Sequence, residues 1–176
     1  MRYFLAILLA ISCLLLSGCG FHFRSSQSAP TALNPVFFSA AKPYSTLTTD
    51  MRQLLDAMKI RRVKEITQAP FSLIISVDNF VYSRPDIANT TLTSNMNFMQ
   101  SATLNIIDNR THALIASRSF STTASLTLNV NQIYTADRTE LIKQELNREI
   151  TLLIYYWLTS SQTKAALQHA TFSKPT

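Results

Sequence analysis

Glycine is almost missing from this chain: there are two among 176 residues, Gly18 and Gly20, one on each side of Cys19. A phosphate-cradling loop rich in glycine is therefore excluded beyond residue 20. Cysteine is as scarce, with Cys13 and Cys19 the whole complement. Histidine is limited to His22, His112 and His169. A zinc site or a catalytic triad needs several such groups converging, and these three stand just after Cys19, beside a turn and near the C-terminus. The ten carboxylates are scattered, and no serine stands in a nucleophile-elbow context. The reading is of a protein that is not an enzyme, with no catalytic residue, no metal and no cofactor.

What is present begins at the N-terminus, MRYFLAILLAISCLLLSGCG. Arg2 precedes an apolar run over residues 3–16, too short for a bilayer core, which takes about 20 apolar residues. It suits the apolar region of a secretory signal, with small residues before a cleavage point. Leu16-Ser17-Gly18-Cys19 resembles the lipobox of bacterial lipoproteins. That resemblance implies a diacylglycerol on the Cys19 sulfur, cleavage after residue 18, and acylation of the new amine. The alternative is a plain signal peptide with an incidental cysteine. Two or more acyl chains hold a protein stably on a membrane where one does not. Gly20 follows the cysteine, where an aspartate would signal inner-membrane retention, so the outer membrane is the expected destination.

Loss of residues 1–18 removes Cys13 and leaves Cys19 without an intramolecular disulfide partner. The remaining length suits one domain. Lys and Arg number 16 against 10 acidic residues, for a net charge of +6. An exported chain without a recognition motif gives no reason to expect a nucleic-acid partner.

The expected organisation is a lipidated N-terminus and tether over residues 19–33, a single α+β domain over 34–160 and a flexible tail over 161–176. A short strand is expected at 36–38. Leu47, Met51, Leu54, Leu55 and Met58 then form one stripe of an amphipathic helix with Ser45 as N-cap. Lys59, Arg61, Arg62 and Lys64 cluster behind it, either as an anion-binding patch or as solvated charges favoured by the helix dipole. FSLIISVDNFVYS, from residue 71, reads as a strand with an irregularity at Asp78-Asn79. Residues 101–107 and 112–130 read as two more strands, joined by a turn at Asp108-Asn109-Arg110. From Phe120 the even positions are apolar to Val130, broken only by Thr122, while the odd ones are Ser, Thr and Asn. This sheet buries one face and shows a hydroxyl-rich one to water or to a partner. A long helix follows, with a capping-box-like start at Asp137 and Glu140 and an apolar stripe including Leu141, Leu146, Ile150, Leu153, Ile154 and Trp157. The order β-α-β-β-β-α predicts two helices packed on one face of a four-stranded sheet.

Residues 87–107 and 119–136 carry no charged side chain. Exposed strand edges normally carry charges, proline or bulges against intermolecular pairing. Either these strands are central in the sheet, or a polar surface such as a barrel interior covers them.

Gly18-Cys19-Gly20-Phe21-His22-Phe23-Arg24 resembles the opening of the LptE (RlpB) family of lipopolysaccharide-assembly lipoproteins. The resemblance continues through LTTDMRQLLDAM, the two long strands and Leu141-Ile142-Lys143-Gln144-Glu145-Leu146. It implies the same two-helix, four-stranded layout and a plug within the lumen of the LptD β-barrel. It further implies that the protein assists barrel assembly and helps deliver lipopolysaccharide to the outer leaflet. Lys143 matches a family position implicated in lipopolysaccharide contact. Arg138, near the same helix end, and Arg84, before Pro85, are further candidates, because phosphate is met by charge-assisted hydrogen bonds. A different class of function, a periplasm-facing lipid-binding or transport-accessory lipoprotein, calls for an apolar cavity in place of a filled core.

Overall fold

A computed structural model describes residues 29–83, 94–128 and 136–172. Cys19, Arg84 and the tether residues before Ala29 lie outside them. The fold is α+β. A single turn of 3-10 helix at Thr31–Leu33 leads into β1 (Val36–Ala40), followed by α1 (Thr46–Ala57) and β2 (Arg62–Val63). Then come β3 (Phe71–Tyr82), β4 (Ser94–Asp108), β5 (Leu114–Leu128), α2 (Ala136–Thr159) and α3 (Ser161–Phe172).

The sheet has five strands in the order β2-β1-β3-β4-β5. β1 runs parallel to both neighbours, while β3, β4 and β5 form an antiparallel meander. The strand beyond the expected four is β2, only two residues long, placed by pairing Val36 with Arg62 and Phe37 with Val63. It carries no periodicity of its own, being too short for an alternation to show. The irregularity expected at Asp78-Asn79 lies instead between Ile75 and Val77, where Ser76 bulges out of register.

All helices pack on one face. The core joins Leu47, Met51 and Leu55 of α1 to Ile150, Ile154 and Leu158 of α2, over Phe71, Leu73 and Ile75 of β3 and Ala102, Leu104 and Ile106 of β4. Ser45 caps α1, its hydroxyl accepting from the Thr48 amide at 3.2 Å. Lys59 ends that helix with φ 58°, the left-handed position where glycine is usual. The Ile60 amide reaches back to the Leu55 carbonyl at 2.9 Å to close the turn. Burial between α1 and α2 pushes the Asp50 carboxyl above its ordinary range, and the charge of Arg148 partly offsets this.

α2 starts at Ala136, so Asp137 stands inside its first turn rather than at the cap. There it favours the helix dipole. Leu141 and Leu153, expected on the buried stripe, are 65% and 41% exposed. The buried row is narrower: Leu146, Ile150, Ile154, Trp157 and Leu158.

The tail expected over residues 161–176 is a helix as far as Phe172. Ser160 separates it from α2 and caps it, its hydroxyl accepting from the Thr163 amide at 3.3 Å. Leu167 and Ala170 enter the main core, so the helix is held by burial as well as by its cap.

Candidate functional site

The face of the sheet opposite the helices is uncovered among the described residues, and its chemistry follows from strand alternation. On β4 the outward positions are Asn95, Asn97, Met99, Ser101, Thr103 and Asn105, and on β5 they are Ser117 to Thr127 in steps of two. These side chains bond to one another across the strands. The Ser117 hydroxyl donates to Asn105 Oδ1 at 2.6 Å, Asn105 Nδ2 donates to the Ser76 hydroxyl at 3.1 Å, and the Thr103 and Ser119 hydroxyls lie 2.9 Å apart. The result is a surface of hydroxyls and amides without a net charge.

Toward the far end of the same three strands the outward row becomes mixed. Val81 pairs with Met99, which pairs with Thr123, and Asn97 pairs with Ser125. These residues line an open cleft of about 710 Å³. Val81 and Met99 are 41% and 38% exposed, an apolar spot within the polar face.

On the helix side of that end, Met96, Phe98, Leu128 and Leu146 form a second apolar cluster, separate from the main core. Phe80 and Tyr82 each stack on Phe98 there, with ring centroids 6.3 and 5.8 Å apart. Polar groups are buried on this side too: Gln100 Nε2 donates to Asp78 Oδ1 at 2.8 Å, and Asn147 of α2 is buried. Asp78 Oδ2, Gln100 Oε1 and Asn147 Oδ1 have no partner among the described residues. Thr122, the one break in the apolar row of β5, donates to the Leu146 carbonyl at 3.4 Å. That contact accounts for a hydroxyl on the inward face.

Lys143 lies on this helix side, its Nζ 5.8 Å from the centroid of Phe80 and 3.5 Å from Glu140 Oε2. Arg138 is exposed in the first turns of α2. The structure does not bring Lys143 to the open cleft, because the sheet stands between them. Of the basic cluster behind α1, Arg62 is engaged by Asp56, bonded through its Nε and Nη2 at 2.9–3.2 Å. His112, at φ 57°, supplies the left-handed residue of the β4–β5 turn, a structural use that its type did not announce. His169 lies on exposed α3 surface. Among the described residues no three His, Cys, Asp or Glu side chains gather as a metal site.

This fold is one that solved bacterial lipoproteins share. The uncharacterized lipoprotein B of Nitrosomonas europaea superposes with a TM-score of 0.62 at 15% identity, over 85% of this chain and 96% of that one. The minor lipoprotein of Acinetobacter baumannii gives 0.56 at 14% identity, over 73% and 92%. A putative neuraminyllactose-binding hemagglutinin homolog from Helicobacter pylori gives 0.60 at 10% identity, over 86% and 96%. At such identities the likeness is one of fold, and proteins named for different roles share it. No family model matches the chain.

Proposed function

We propose that this chain is an outer-membrane lipoprotein anchored through Cys19, which partners an LptD-type β-barrel in assembling lipopolysaccharide at the outer-membrane surface. Its role is that of plug and assembly aid, and it is not an enzyme. The observation that carries this reading is the uncovered face of β4 and β5. A wall of hydroxyls and amides can exchange hydrogen bonds with the polar lining of a barrel lumen without burying an unpaired charge. The lipobox-like Leu16-Ser17-Gly18-Cys19 and a fold shared with solved lipoproteins support the anchor.

A photo-crosslinking residue at Asn97, on the outward row, tests the partner in intact cells. The expected product is an adduct with a large β-barrel that also co-purifies from detergent-solubilised envelopes. Recovery of the lipidated protein free of any barrel overturns the reading. The anchor is tested separately by Cys19→Ser, which should abolish incorporation of a fatty-acid probe and leave an uncleaved precursor.

Lys143 is proposed as a contact for the phosphates of lipopolysaccharide, with Arg138 and Arg84 as further candidates. Lys143→Asp should then weaken lipopolysaccharide binding and leave melting temperature and barrel association nearly unchanged. The cleft lined by Val81 and Met99 favours a second reading, a periplasm-facing lipid-binding or transport-accessory lipoprotein. A stoichiometric lipid recovered by mass spectrometry from barrel-free protein would select it.

A further inference from the structure

The two edges of the sheet are built differently. β2 is two residues long and stands among Lys59, Arg61, Arg62 and Lys64, a short and basic edge of the kind that discourages pairing. β5, at the other edge, is 15 residues long, contains no proline, and has Arg118 as its one charged side chain. Among the described residues no strand pairs with its outer side. Beside this edge a groove of about 320 Å³ runs between β5 and α2. Phe120 and Trp157 form its floor, packed edge to face at 5.9 Å, and Leu153 and Tyr156 form its helix-side wall. Tyr156 is 56% exposed and Leu153 41%, which is why neither belongs to the buried row of α2. Arg118 lies over Phe120, its Cζ 5.6 Å from the ring centroid, and takes part in no ion pair among the described residues.

We propose that the outer edge of β5 accepts an extended segment of a partner polypeptide as a sixth strand. An apolar side chain of that segment seats against Leu153 and Tyr156, and a carboxylate lies beside Arg118. The free backbone amides and carbonyls of an edge strand fix the occupant as an extended backbone, and strand alternation sends every second side chain over the groove. The unpaired guanidinium selects an acidic residue. A second copy of this chain meets that requirement poorly, since its own β5 has no carboxylate to offer. The proposal stands independently of the barrel reading, because it concerns the sheet edge and not the polar face.

The test titrates the lipidated protein in detergent with a ten-residue acetylated peptide of alternating Thr and Val carrying one Glu, and with a twin carrying Lys instead. Amide hydrogen exchange of β5 and the two dissociation constants are read. The Glu peptide should slow exchange along β5 and bind about tenfold more tightly than its twin, the difference expected for exchanging an attractive for a repulsive cross-strand charge pair. Arg118→Glu, at an exposed position, should reverse the preference. Unchanged exchange, or equal binding of the two peptides, overturns the proposal. So does concentration-dependent protection of β5 without peptide, which would give the edge to a second copy.

Discussion

Arg110 ties the β4–β5 turn to the last helix: its Nη2 lies 3.0 Å from Asp108 Oδ2 and 2.9 Å from the Ala170 carbonyl. Asp108 is 2% exposed, and hydrogen bonds from the Arg110 side chain hold its carboxyl below the ordinary value of 3.8 against the opposing effect of burial. A carboxyl depressed in the folded state stabilises above its unfolded pKa, and that stability is lost as pH falls through the lower folded value. The protein should therefore lose stability as pH drops below about 4. Arg110→Met should be less stable at neutral pH, and its gap to the parent should narrow in acid to what the pH-independent bond to the Ala170 carbonyl contributes. Urea unfolding across pH 2–7 measures both, and parallel curves would remove this pair from the account.

Leu167 is fully buried against the main core although it lies in the segment expected to be a flexible tail. Leu167→Ala should cost about 2–5 kcal/mol, the usual range for truncating a buried leucine. A cost near zero in equilibrium unfolding would mean that α3 does not dock.

Lys59 holds a left-handed conformation that penalises any residue with a Cβ by roughly 1–2 kcal/mol. Lys59→Gly should raise stability by about 0.5–1 kcal/mol once the greater freedom of glycine in the unfolded chain is set against that relief. The same unfolding assay decides it.

The longer strands, α1 and α2 were legible because their residues repeat with the period of the element. The alternation from Phe120 to Leu128 and the Leu47-Met51-Leu55 row needed no tertiary knowledge. β2 was not legible, since two residues carry no period and their pairing depends on Val36 and Phe37 arriving from elsewhere. α3 carries a signal in the sequence as well: Ser160 three residues before Thr163, ahead of the alanine-rich AALQHA. Its polar composition concealed that Leu167 and Ala170 reach the core. The polar character of the open sheet face was readable from the odd positions of β5, whereas the β5 edge was not. A charge-free stretch looks the same in a central strand and an edge strand, and the stretches 94–107 of β4 and 119–128 of β5 turn out to be one of each.

The parallel pairing of β1 with β3 sets the order in which the chain can assemble. β4 and β5 meet across a tight turn, Ile107 opposite Leu114, whereas Val36 reaches Phe71 only after α1, β2 and their connections have been looped out. Closing the longer loop costs more entropy before any contact rewards it, so the hairpin should form early and β1 should join late. Ile106→Val would then act chiefly by slowing refolding, and Val36→Ala chiefly by speeding unfolding, both measurable by stopped-flow in denaturant. The N-terminal strand, nearest the expected anchor at Cys19, would be the last part of the sheet to commit.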